Sequence, residues 1–275
     1  MHYHEYRFEF GPATNSDILL GLLSIYPFDT FQEGENTLGA FVKSGFISPE
    51  EVAEIGRIAD RCGATLTHVE HAPQNWNAVW ESNFEPLRID DFVGLRADFH
   101  PPTEQVRFDL VINPKMAFGT GHHATTDMMI RSMRELNFTD KTVFDYGCGT
   151  GVLAILAKKL GAGHTVAVDI EPPSYENTLE NMRTNGVNLD DVILGTLADV
   201  PPFAFDLILA NINRNVILNS LPELHRYTAP GTLLITSGYR TPDTEMVDQA
   251  LAQHGFQQQG RREREGWVCT VSVRT

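Results

Sequence analysis

Cysteine is scarce in this chain: Cys62, Cys148 and Cys269 are its only three, scattered and never in a C-x-x-C spacing. That pattern excludes a disulfide framework and a zinc site, and fits reduced thiols in a cytoplasmic protein. Basic charge is also in short supply. Lys and Arg number 21 against 36 Asp and Glu, a net charge of −15 over 275 residues. Such a balance speaks against gripping a phosphate backbone, so no direct, specific nucleic-acid binding is expected. It keeps the protein soluble, and it would also attract a basic protein partner. Long apolar runs are missing too. The most apolar early run, Ile18 to Ile25, is too short to span a bilayer, and no basic segment followed by an apolar one opens the chain. No membrane association is expected, nothing requires more than a monomer, and no internal repeat or low-complexity tract is present.

The chain is long enough for two domains. Over the first 72 residues, local patterns spell βαββαβ. Tyr6, Phe8 and Phe10 alternate with charged residues as in a half-buried strand. Asn15-Ser16-Asp17 supply capping side chains ahead of Ile18, Leu19, Leu22 and Leu23 at helical spacing. Phe28 to Gln32 and Thr37 to Lys43 read as strands around a turn at Gly34-Glu35-Asn36. Ser48-Pro49-Glu50-Glu51 predicts a capping box with proline in the first turn, Gly63 stops the helix, and Ala64 to Glu70 makes the last strand. That order is the ferredoxin-like arrangement. It holds no catalytic cluster, so recognition or packing is its natural role. His2, His4, His68 and His71 fall at opposite ends of this domain and are expected to pack or face solvent, with no metal bound. Residues 73–83, with Trp76 and Trp80 four apart, read as a short helical linker.

From 84 to 275 the pattern changes. Strand-like runs at Val106 to Ile112, Thr142 to Asp145, His164 to Asp169, Phe205 to Ala210 and Gly231 to Thr236 alternate with helix-like ones, as in a parallel α/β sheet. Phe256 to Gln259 and Trp267 to Val273, around a charged turn, predict an antiparallel pair finishing that sheet.

Two glycine loops carry the chemistry. The first is Ala117-Phe118-Gly119-Thr120-Gly121-His122-His123-Ala124-Thr125-Thr126; the second is Asp145-Tyr146-Gly147-Cys148-Gly149-Thr150-Gly151. Glycine lets backbone N–H groups approach a ligand that a Cβ would hold away. The second loop joins a buried strand to an apolar helix, the place where open α/β sheets bind ligands. Asp169 ends the next strand, twenty residues after Gly149, placed to accept the hydroxyls of a ribose. The spacing G-x-G-x-G, with Asp145 ahead of it, departs from the dinucleotide fingerprint. An acid there sits poorly beside a pyrophosphate and suits the ammonium and sulfonium of S-adenosylmethionine. A nicotinamide cofactor and a ligand-free tight turn are the alternatives. Phe205 to Asn213 is a buried strand ending in Asn211, whose side-chain carbonyl can orient an amine, or which caps the following helix. His122 and His123 are candidate proton acceptors or helix-start residues.

The block Asn113-Pro114-Lys115-Met116-Ala117-Phe118-Gly119-Thr120-Gly121-His122-His123-Ala124-Thr125-Thr126 resembles the signature of the ribosomal protein L11 methyltransferase (PrmA) family. Support comes from Asp145 to Gly151, Val168 to Pro172, Ala210-Asn211-Ile212 and Ser237-Gly238. Asn113, Lys115, His122 and Ala124 depart from the family's usual Asp, Gly, Thr and Pro. The resemblance covers essentially the whole chain. It implies a Rossmann-like, seven-stranded methyltransferase domain behind the small ferredoxin-like α+β domain. It implies S-adenosylmethionine as methyl donor, held by Thr126, Gly147, Asp169 and Asn211, with Asp145, Gly149 and Phe118 beside them and Asn211 at the reacting amine. The implied substrate is ribosomal protein L11, methylated on lysine ε-amines and its N-terminal α-amine in the cytoplasm, with residues 1–72 recognising it.

Overall fold

The computed structural model describes all residues except 1–2, 12–15, 35, 44, 72–84 and 114–122. They fall into two compact units, Met1–Asn83 and Phe84–Thr275.

The first unit runs β1 (Tyr3–Phe10), α1 (Ser16–Leu23), β2 (Thr30–Gly34), β3 (Thr37–Lys43), α2 (Pro49–Arg61) and β4 (Ala64–His71). Its antiparallel sheet has the order β2-β3-β1-β4, as a ferredoxin-like fold requires. Period-2 alternation puts Tyr6, Phe8, Leu38, Ala40 and Val42 on one face, where they form a core with Leu19 and Leu23 of α1 and Ile55, Ile58 and Ala59 of α2. The capping box predicted at Ser48 forms: Glu51 donates its N–H to Ser48 Oγ at 3.3 Å, and the Ser48 N–H donates to Glu51 Oε2 at 2.7 Å. Gly63, at φ +67°, ends α2 in a conformation that favours glycine. One expectation fails. His4 and His68 are not at opposite ends of the domain, because antiparallel pairing of β1 with β4 stacks their rings at 4.8 Å, with Nδ1 and Nε2 2.6 Å apart. Among the described residues no group of three or more His, Cys, Asp or Glu could hold a metal. The predicted linker helix with Trp76 and Trp80 lies outside the described residues.

The second unit opens with β5 (Leu87–Ile89), β6 (Val93–Arg96) and β7 (Phe108–Val111), a small separate sheet. It continues with α3 (Ala124–Arg134), β8 (Thr142–Tyr146), α4 (Val152–Lys159), β9 (His164–Asp169), α5 (Pro172–Thr184), β10 (Asp191–Leu194), β11 (Leu207–Asn211), α6 (Arg214–Leu224), β12 (Leu233–Arg240), α7 (Thr244–Gln253), β13 (Phe256–Arg264) and β14 (Trp267–Arg274). The main sheet has seven strands in the order β10-β9-β8-β11-β12-β14-β13. The first five are parallel, and β14 inserts antiparallel between β12 and β13. Buried strands Val143-Phe144 and Leu207 to Ala210 run through the middle, with α3 and α4 contributing to one core and α6 and α7 to the other. The predicted strand Val106 to Ile112 corrects in place: it is β7, parallel to β6 in the small sheet, not part of the main one. Period alone says that a segment is extended, not which edge it joins. Among the described residues no helix is long and apolar enough to cross a membrane.

Strand order reverses between β8 and β11, the topological switch where such sheets bind ligands beyond the strand ends. Gly238, in β12, flanks this switch with φ +98°, and a Cβ on it would lie 2.1 Å from the Ile212 carbonyl oxygen. Gly238→Ala should therefore cost about 2 kcal/mol or more and lower the melting temperature by about 4–8 °C, read by calorimetry. An unchanged melting temperature would mean that the β11 end yields without strain.

Candidate functional site

The second glycine loop begins at Gly147, whose N–H donates to the Val168 carbonyl at 2.9 Å. Gly147, Gly149 and Gly151 all have positive φ, at +74°, +56° and +78°. At Gly147 a Cβ would also meet Ile212 Cγ2 at 2.3 Å, so this turn is closed to any side chain by conformation and by space. Gly151 caps α4, and its missing Cβ leaves room for Thr178. Asp169, at the end of β9, accepts the Gly149 N–H on Oδ2 at 2.8 Å and the Glu171 N–H on Oδ1 at 3.0 Å. Each oxygen retains a second lone pair, and the side chain is half-buried rather than enclosed.

Asp145 stands at the end of β8 and is 1% exposed. Its Oδ2 accepts the Ala154 N–H from the first turn of α4 at 3.0 Å. Burial pushes its pKa up to about 7; the Ala154 hydrogen bond opposes that shift and the nearby Asp169 charge adds to it. Cys148, behind the same turn, contacts Thr178 Oγ1 at 3.4 Å, and burial drives its thiol pKa well up, away from reactive thiolate.

Asn211 comes from the end of β11 and meets Thr126 of α3: its Nδ2 donates to Thr126 Oγ1 at 3.3 Å. Thr126 is 1% exposed. Asn211 does not cap α6. That place belongs to Asn213, whose side chain accepts the Val216 N–H at 3.0 Å. Among the described residues Asn211 Oδ1 receives no hydrogen bond. His123 proves to be a helix-start residue: it is the N-cap of α3, with its Nδ1 accepting the Thr125 N–H at 3.4 Å. Its ring stands edge-on to Trp267 at 4.5 Å, and Arg240 lies 4.5 Å over the same indole. Arg264 and Arg131 both reach Asp127 Oδ2 at 2.9 Å. The β13–β14 turn thus braces the first turn of α3. Ala124 takes the first helical position, where the family's proline would also fit because that N–H has no helical partner. Phe118 and His122 lie outside the described residues.

The structure thus brings Thr126 to Asn211, Gly147 to the neighbouring Ile212, and Gly149 to Asp169, with Asp145 directly beneath. The family profile described as ribosomal protein L11 methyltransferase (PrmA) matches residues 39–275. The chain belongs to the ribosomal protein L11 methyltransferase family. A family relative from Bacteroides thetaiotaomicron is 34% identical over 98% of both chains, and one from Porphyromonas gingivalis 35% identical over 93% of this chain and 90% of its own. Among solved structures, a ribosomal protein L11 methylase from Lactobacillus delbrueckii subsp. bulgaricus aligns at TM-score 0.63 and 29% identity, covering 70% of this chain and all of that one. A methyltransferase from Pyrococcus furiosus, at 13% identity and TM-score 0.51, shares the fold.

As a member of this family the chain is an S-adenosylmethionine-dependent methyltransferase. Its residues fit that donor: a turn of three positive-φ glycines that puts bare backbone beyond the strand end, a carboxylate with lone pairs to spare for ribose hydroxyls, and an Asn211 amide oxygen that receives no hydrogen bond among the described residues. Sequence reading missed the buried polar face of α5. Asn177, Asn181 and Asn185 recur every fourth residue there, a helical spacing that the sequence displays openly.

The raised Asp145 pKa gives a signed prediction. This carboxyl's stabilising contribution is complete below its unfolded value of 3.8, declines as pH rises, and is lost above about 7. Asp145→Asn keeps the acceptor for Ala154 without the charge. In thermal scans of ligand-free protein, its melting temperature should gain on wild type as pH rises from about 4 to 8. A constant difference across that range would mean that the buried group does not titrate there.

Proposed function

We propose that the cleft beyond β8 and β11 transfers methyl groups from S-adenosylmethionine to lysine ε-amines and the N-terminal α-amine of ribosomal protein L11. The observation that carries the site is the pairing of Asn211 with Thr126 at the switch point, next to the glycine turn. The donor supplies a methyl group on a positively charged sulfur. Asp169 would hold its ribose hydroxyls and the backbone of Gly147 and Gly149 would line it, while Thr126 fixes the Asn211 amide; the family resemblance adds Phe118 to the donor-binding residues. The Asn211 carbonyl would accept an N–H of the incoming amine and so orient it for transfer. Positioning of this kind accounts for much of such an acceleration. The amine loses its proton to solvent or before docking, since Asn211 is no base. Asp145 is neutral or ionised near pH 7. The cationic end of the donor favours the ionised form.

Residues 1–72 serve to recognise L11, with 73–83 as a linker that presents different amines to the one site. Eleven acidic and four basic side chains fall in this stretch, a field suited to a basic protein surface. The reaction belongs in the cytoplasm, consistent with three scattered cysteines and no C-x-x-C spacing.

Mass spectrometry of L11 incubated with the protein and S-adenosylmethionine should show methyl-mass increments on lysines and the N-terminus. Increments on another ribosomal protein and none on L11 would reject the substrate. Asp169→Ala should weaken donor binding in calorimetry by about tenfold or more while leaving L11 docking unchanged. Asn211→Ala should lower kcat by on the order of a hundredfold with little change in the KM for L11.

A further inference from the structure

One buried side chain ties the backbone at Asn113, just ahead of the first glycine loop, to the second glycine loop. After β7 the chain passes Ile112 and Asn113 into the first loop. Its backbone there is held by a row of asparagines on the buried face of α5. Asn185 exchanges both hydrogen bonds with Val111: Val111 N–H donates to Asn185 Oδ1 at 2.9 Å, and Asn185 Nδ2 donates to the Val111 carbonyl at 2.6 Å. One turn earlier, Asn181 Oδ1 accepts the Asn113 N–H at 3.0 Å. One turn earlier again, Asn177 Nδ2 donates to the Asn113 carbonyl at 2.7 Å.

Asn181 differs from its two neighbours in what its other end does. Its Nδ2 donates to the Thr150 carbonyl at 2.9 Å, inside the second glycine loop. Thr178 adds a parallel hold on that loop through the Gly149 carbonyl at 2.9 Å. Asn181 is fully buried, so both bonds form away from competing water. A planar amide has a fixed span between its acceptor and its donor. It therefore sets the distance between the start of the first loop and the back of the second. Aspartate would lose the donor, and serine is too short to reach both carbonyl and amide.

We infer that Asn181 is a positioning residue for methyl transfer: it holds the Asn113 backbone at a set distance from the donor turn, so that donor binding and the order of this strand end are coupled. This rests on the assignment of residues 147–151 to the donor. Asn185 is the internal control, because it grips the same strand as strongly and does not touch the donor turn. Both variants should lower the melting temperature, since each abandons buried backbone groups. Only the Asn181 variant should disturb the donor.

The test compares Asn181→Ala, Asn185→Ala and wild type, each assayed well below its own melting temperature, for S-adenosylmethionine affinity by calorimetry and for kcat and KM on L11. Asn181→Ala should raise the donor Kd by about tenfold and lower kcat, with the L11 KM unchanged. Asn185→Ala should leave donor Kd within about twofold. Hydrogen exchange supplies a second readout: donor binding should slow exchange of the Asn113 amide in wild type and in Asn185→Ala, and not in Asn181→Ala. If Asn181→Ala does not fold, Asn181→Ser is read against the same expectations. Equal donor loss in both variants, tracking their melting temperatures, would reduce the asparagine row to a structural brace and overturn the inference. So would unchanged donor affinity in the Asn181 variant. Asp169→Ala reports separately on the donor assignment: if it binds S-adenosylmethionine like wild type, that assignment fails, whatever Asn181 does.

Discussion

Asn211 owes its place to its neighbour. Ile212 is clasped between two residues without side chains: its Cγ2 occupies the space a Cβ would need at Gly147, and its carbonyl oxygen presses on Gly238. Both glycines have positive φ, so conformation and packing demand the same residue at each point. Ile212 donates its N–H to the Ser237 carbonyl at 3.2 Å, which ties the end of β11 to β12 as well. The strand end, the glycine turn and the bulged β12 therefore meet as one rigid junction. The Asn211 amide projects from that junction toward Thr126. Nothing at the candidate site can be shifted without moving one of these backbones.

Much of this was legible in the amino-acid order. The capping box at Ser48, the βαββαβ succession and the strand–turn–helix around Gly147 to Gly151 each rest on local chemistry, and local chemistry survives folding. What escaped has a physical reason in each case. β10 is four residues long, lies at the sheet edge and has exposed ends, so it presents no alternation to detect. β5 and β6 are three and four residues long and meet the same difficulty. His4 and His68 are 64 positions apart and meet only because two strands pair, a long-range fact that spacing cannot convey. The glycine loops announce themselves in the sequence, yet the asparagines on α5 and at its C-cap, which hold the second loop and the Val111–Asn113 backbone, do not. Asparagine on a helix reads as a weak or neutral former. Its value here comes from backbone groups of other segments, which only the folded chain supplies.

Charge is distributed with similar economy. Most ion pairs of the second unit are surface pairs such as Arg134 with Asp91, each of small worth. Asp127, buried and shared by Arg131 and Arg264, is paired within the domain; Asp145 is buried without an ion pair among the described residues, beneath the glycine turn and held by a helix amide. Burial favours its neutral form, and a cationic ligand beside it would favour the ionised one.

The position of β14 bears on how this domain is made. It lies between β12 and β13 and completes the pairing of both. Until β14 takes its place, β12 is an open sheet edge at the flank of the Ile212 junction. Open edges template pairing with other chains. A folding intermediate that lacks β14 would therefore bare this edge beside the switch point, and only the docking of residues 267–274 between β12 and β13 closes it.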